Sequence, residues 1–295
     1  MRRWLTRVVL GGVAALTLAG CGAPAGVDRD LTDDWAVPGE PAPFTPETGA
    51  CHPEFHEVGY ITVYRPVDCA DEHMVETIHV GTFTGEHADR ATLPPAGSPA
   101  RLAAWRECDA KAAETLGADW RTGRLWLSVV LPSPQGWLSG ARWFRCDLAE
   151  VESPRGVTLV RRSGSLAGAL KDGSPLSLGC FNVQIKGDLI SKLVPVACDK
   201  PHNSEFVGVY TAPDTPYDVF EENDKQLHNG CLEVTARYAG LPNDRLMRYR
   251  TGTIASWPSE QEWDAGNRGV RCFLLVNRKL TRSAKGAGTA VLPLR

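Results

Sequence analysis

Four signatures are missing from the 295 residues: Cys-x-x-Cys, Gly-x-Ser-x-Gly, Ser-x-x-Lys and a glycine-rich phosphate loop. Their absence removes the usual marks of thiol–disulfide exchange, of an activated serine nucleophile and of nucleotide binding. Lysine is scarce, 8 against 24 arginines, a composition typical of a GC-rich genome. Basic charge is short as well. Net charge is −3, and −6 once Arg2, Arg3 and Arg7 leave with a leader, which argues against nucleic acid or anionic lipid as a partner. The apolar run at the amino terminus, Val8 to Gly20, is 13 residues long and too short to span a bilayer as a helix.

That run has a job of its own. Met1-Arg2-Arg3-Trp4-Leu5-Thr6-Arg7 is a basic n-region, and Leu18-Ala19-Gly20-Cys21 looks like a bacterial lipobox. The expectation is a lipoprotein signal peptide over 1–20, cleaved so that the Cys21 thiol carries the lipid. The protein would then sit lipid-anchored on the extracytoplasmic face of the cell membrane. Residues 21–49, rich in Pro, Gly and acid, read as a disordered tether.

Beyond Cys21 the chain repeats itself. Cys69-Ala-Asp-Glu-His73-Met-Val-Glu76 and Cys198-Asp-Lys-Pro-His202-Asn-Ser-Glu205 both follow Cys-x-x-x-His-x-x-Glu, and a strand-like run comes after each. The eight remaining cysteines fall at 51, 69, 108, 146 and at 180, 198, 231, 272, with gaps of 18, 39, 38 and 18, 33, 41. Residues 132–146 lie over 258–272 without a gap and match at eight of fifteen positions: Pro, Ser, Gln, Trp, Gly, two Arg and Cys. This is a tandem duplication. The fold class expected is α+β: two repeats over 50–150 and 177–290, joined by a linker over 151–176. Each is a small, mostly antiparallel sheet with one main helix packed on it. The helices read from Pro99 to Gly117 and from about Leu227 to Gly240, with the third cysteine of each copy on the inner face. A shorter turn begins at Ser259-x-x-Glu262, a capping box, where the first copy has Gly136 in place of the Glu. Arg162-Ser163 with Gly168 matches Arg282-Ser283 with Gly288 faintly, so each copy trails a similar tail.

An even set of cysteines in an exported chain is first a disulfide framework. Sequence alone leaves three pairings per copy. The choice is first with second and third with fourth, because an 18-residue gap suits neighbouring antiparallel strands and a helix lying on a sheet brings its cysteine over the last strand. That gives Cys51–Cys69, Cys108–Cys146, Cys180–Cys198 and Cys231–Cys272.

His73 with Glu76 and His202 with Glu205 form the one repeated titratable pair. They could serve a metal site with the cysteine, or general acid–base work. The reading adopted is that they anchor the turn after the disulfide, by bonding backbone groups or Arg142 and Arg268. Trp137 and Trp263 are read as core residues. The alternative is an exposed aromatic platform for glycan or protein, with the Trp-rich first copy as the binder.

Cys-x-x-x-His, a Val-Gly strand, a cysteine-bearing helix and Trp-x-x-Gly-x-Arg-x-x-x-Cys together resemble the septum-formation domain family of actinobacterial exported and membrane proteins. The resemblance runs over 50–290 as two copies. Glu72 stands where the second copy has Pro201, and two extra residues separate Glu76 from Val80-Gly81. It implies an envelope protein tied to cell division, with no catalytic residue to carry over. The function expected is non-catalytic binding of an unidentified envelope protein, with no cofactor, no metal and no nucleic acid. The alternative is a cell-wall enzyme using the His/Glu pair, or a module binding cell-wall glycan through the Trp-rich face.

Overall fold

Strand order shows how the duplication is built. In the computed structural model, residues 42–156, 158–171, 173–187 and 189–294 are described. The expected signal peptide, the expected lipidation site Cys21 and the expected tether up to residue 41 lie outside them. The first copy has strands β1 (Cys51–His52), β2 (Val58–Gly59), β3 (Val75–Thr82), β4 (Leu125–Pro132) and β5 (Trp143–Glu150), in sheet order β1-β3-β5-β4-β2. The second has β6 (Cys180–Lys186), β7 (Leu189–Val196), β8 (His202–Thr211), β9 (Gly252–Ser256) and β10 (Gly269–Leu280), in order β7-β6-β8-β10-β9. Pairing is antiparallel except β2 on β4. So β1-β3-β5-β4 and β6-β8-β10-β9 are one four-stranded motif used twice. The protein is a mixed α+β fold with two separate sheets.

The copies differ at the edge strand. The same 18-residue gap between the first two cysteines makes a hairpin in the second copy, where Cys180 pairs with Val196 and apolar and polar residues alternate along β6. In the first copy Pro53 and Pro66 break the alternation, and the segment folds across the sheet to add β2 beside β4.

On each sheet lies one long helix: α1 (Pro99–Leu116), capped by Ser98, and α4 (Asp224–Ala239), capped by Asn223. Short helices are α2 (Pro134–Leu138), α3 (Tyr217–Glu221) and α5 (Glu260–Ala265). The capping box at Ser259–Glu262 is formed, whereas Ser133 caps α2 alone. The four disulfides join Cys51 to Cys69, Cys108 to Cys146, Cys180 to Cys198 and Cys231 to Cys272. Cys108 and Cys231 lie fully buried on the helices' sheet-facing sides.

Pro43–Arg295 forms one compact unit that holds both copies. Two expected boundaries move. The end of the expected tether is ordered, because Phe44 sits edge-on to Tyr64 and Trp143 and its carbonyl accepts the Trp143 indole N–H at 2.8 Å. Much of the expected linker 151–176 also belongs to the first copy. Arg162 bridges to His73, and Gly168 N donates to Thr115 O at the end of α1.

The aromatic-platform reading is corrected here. Trp105, Trp120, Trp137 and Trp143 are 1–4% exposed and fill the interior of the first copy, and Trp263 is 2% exposed in the second. Burying indole rings is the largest apolar contribution available to a sheet this small. No helix among the described residues is long and apolar enough to cross a membrane.

Candidate functional site

Strand β8 begins at His202, so His202 and Glu205 enter the sheet together; in the first copy Glu76 lies in β3 and His73 two residues ahead of it, in a bridge with Arg162. All four are buried, at 0–5% exposure. Each imidazole Nδ1 donates to the carbonyl two residues earlier, His73 to Asp71 O (2.9 Å) and His202 to Lys200 O (2.7 Å), which closes the turn that follows the cysteine. A carbonyl only accepts, so Nδ1 carries the hydrogen. In the second copy Nε2 then faces Glu205 Oε1 at 3.0 Å, and that contact needs a proton held between the two groups. In the first copy His73 Nε2 is buried without a hydrogen-bond partner.

The carboxylates hold the tails. Glu76 accepts from Ser165 Oγ (2.8 Å) and Leu166 N (2.6 Å). Glu205 accepts from Ser283 Oγ (2.8 Å), Ala284 N (2.9 Å) and Tyr238 Oη (3.0 Å). Beyond the serine, Gly168 N donates to Thr115 O and Gly286 N to Tyr238 O, both in left-handed backbone that favours glycine. The matching tails are therefore Ser165-Leu-Ala-Gly168 and Ser283-Ala-Lys-Gly286, two residues away from the register read in the sequence. Arg142 and Arg268 take no part. Each lies over its own tryptophan, 4.2 Å from Trp137 and 4.0 Å from Trp263, and bonds main-chain carbonyls around the short helix.

Cys51, His73 and Glu76, and likewise Cys180, His202 and Glu205, bring one donor atom each within 4.8 Å. Both sulfurs are bonded in disulfides, and both carboxylates already accept from the tails. An ion would have to displace those bonds, so the donor set fits a brace better than a metal site.

One cluster escaped the sequence reading. His52 Nε2 meets Thr77 Oγ1 (3.1 Å), Thr77 donates to Asp147 Oδ1 (2.7 Å), and Arg145 Nε lies 3.0 Å from Asp147 Oδ2. Burial, then Arg145, lowers the His52 imidazole to about 4, and burial raises the Asp147 carboxyl. The second copy has Phe181, Phe206 and Phe273 at the places of His52, Thr77 and Asp147, packed edge to face. Aligning the two copies beyond their shared motifs would have exposed this polar-for-apolar exchange.

With that geometry in hand, comparison with known families gives a single result. The family model described as Septum formation matches residues 48–272, which take in all eight cysteines of the two copies. The chain belongs to the septum-formation family. No curated protein and no solved structure matches it. Membership associates the chain with septum formation in cell division.

Proposed function

We propose that this septum-formation protein is a non-catalytic envelope lipoprotein, anchored through Cys21, that binds another envelope protein during septation. The observation that carries the reading is the fate of the repeated chemistry. His73, Glu76, His202 and Glu205 point inward, and their polar atoms, His73 Nε2 excepted, are spent on turns, on tails and on one another. A pair built for acid–base work needs a substrate within hydrogen-bond reach, and these are covered by their own chain. The two copies lie in one compact unit, each braced by two disulfides.

Capture from solubilised envelope tests it. The oxidised full chain should retain a specific protein that the reduced and alkylated chain does not. Hydrolysis of purified wall by the chain, lost in a folded His202→Ala variant, would overturn it in favour of an enzyme.

A further inference from the structure

Three stretches without a single charge come together at one end of the first sheet: residues 43–46, 58–64 and 132–141, in a chain whose charged fraction is 23%. They meet around Trp143. Phe44 sits edge-on to Trp143 and to Tyr64, a Cβ on Gly59 would overlap the Trp143 ring, and one on Gly140 would lie 3.2 Å from Pro43. β2 runs parallel to β4 with Gly59 beside Pro132, so Tyr60 and Ile61 leave the sheet where α2 begins. Charge returns at the rim, in Glu47, Glu57 and Arg65, and in the loop after β3, where the Arg90 carbonyl accepts the Trp137 indole N–H.

Large apolar side chains of these stretches face water. Tyr60 is 46% exposed, Ile61 63% and Leu138 75%. The second copy is charged at the matching places. Pro134, Gly136 and Leu138 stand where α5 has Glu260, Glu262 and Asp264, and the counterpart of 58–64 is the β6–β7 hairpin, whose exposed Leu189 lies between Lys186 and Lys192. An exposed apolar patch with a polar rim marks a protein or a membrane contact.

Where the chain enters favours the membrane. Pro43 opens the folded unit inside the patch, 22 residues beyond Cys21. A stretch of that length spans at most about 75 Å. A lipid on Cys21 therefore keeps this end within reach of the bilayer and makes docking there intramolecular. Stable anchoring takes more than one contact, and tyrosine beside aliphatic side chains suits the boundary between water and lipid.

We propose that the uncharged end of the first copy rests on the bilayer surface, with Tyr60 among the headgroups and Ile61 and Leu138 at the upper acyl chains. The inference rests on the Cys21 anchor of the reading above. The contact is apolar and asks for no anionic headgroup, in keeping with the net charge of −3.

The test places the chain, lipidated at Cys21 and with its four disulfides intact, in phosphatidylcholine vesicles that contain a lipid with a nitroxide on its acyl chain. A polarity-sensitive fluorophore is attached in turn at Ile61→Cys, at Leu138→Cys and, as the control in the second copy, at Leu189→Cys, a position 76% exposed. The nitroxide should quench the first two at least about threefold more than the third, with no change at high salt. Adding Leu138→Asp, the residue of the second copy, should lower the quenching at position 61. Equal quenching at all three positions, or none at 61 and 138, would overturn the inference and leave the anchor standing. A chain found by mass to carry no lipid on Cys21 would remove the anchor reading; when that chain is added to vesicles, quenching at 61 and 138 keeps the docking face and its absence removes that too. Protein capture lost in Leu138→Asp, with 61 and 138 unquenched in the vesicles, would overturn the inference and give the face to a protein.

Discussion

Glu205 and Glu76 do the same work with different numbers of donors. Glu205 accepts from Tyr238, Ser283 and Ala284 and faces His202, whereas Glu76 accepts from Ser165 and Leu166. An amide at either place keeps one acceptor oxygen and turns an NH2 group toward donors. Glu205→Gln should therefore cost about 3–5 kcal/mol in urea unfolding, and Glu76→Gln about 2 kcal/mol. Equal losses would mean that the extra donors of the second copy contribute nothing. His52 offers a pH test. The unfolded chain binds its proton below about 6.5 and the folded one only below about 4, so between those values the unfolded state holds more protons and stability falls as pH drops. The loss reaches at most about 3 kcal/mol. Asp147 acts with the opposite sign: its raised carboxyl favours the fold in acid, and that contribution fades as pH rises through the raised value. His52→Phe, which installs the second copy's residue, should flatten the urea midpoint between pH 6.5 and 4.5; an unchanged slope would clear His52 of the acid sensitivity. At this scale the sequence displayed the His/Glu pair because it repeats. It hid the His52–Thr77–Asp147 cluster because that cluster occurs once. The carboxylates' partners were hidden too, since they lie about 80–90 residues downstream in a tail whose register only the hydrogen bonds fix.

Elements were easier to read than their surroundings. Helix ends were marked by Ser98-Pro99 and Gly117, and by Gly240, because caps are local chemistry. The gap of 18 was ambiguous, since one spacing accommodates both the β6–β7 hairpin and the folded-back β2 segment. Alternation in Asn182-Val-Gln-Ile-Lys186 against Pro53 and Pro66 in the first copy was the sequence difference that mattered. The third-to-fourth disulfides tie each long helix to an interior strand of its sheet, Cys108 on α1 to Cys146 on β5 and Cys231 on α4 to Cys272 on β10. Both close loops of about 40 residues, so replacing either pair by alanines should cost about 4 kcal/mol, against about 3 kcal/mol for the Cys51–Cys69 pair, which spans 18. Urea unfolding of the three double variants gives the order. A greater loss for Cys51–Cys69 would show that the edge segment, not the helix, is where covalent bracing counts.

At the scale of the molecule, one contact between the copies is made by residues where they depart from one another. Asn267 and Gly269 stand where the first copy has Ala141 and Trp143, and both touch Arg121. A Cβ built on Gly269 would lie 2.2 Å from Arg121 Nε, so the missing side chain is the space that the guanidinium fills. Arg121 is 8% exposed, bonded to Asn267 and paired with Asp109 at 2.8 Å, so it has little room to retreat. The duplication was legible in the chain but this contact was not, because Asn267 and Gly269 are differences between the copies, and a repeat is recognised by its matches. Gly269→Ala should therefore act between the copies and not within either. The overlap should cost about 1–3 kcal/mol, and it should fall on the interface, so a calorimetric scan with one transition in the native chain should split into two. Arg271 would still hold the first copy's carbonyls, which keeps the bodies adjacent while they melt separately. A single transition at the native temperature would mean that Arg121 swings aside at no cost.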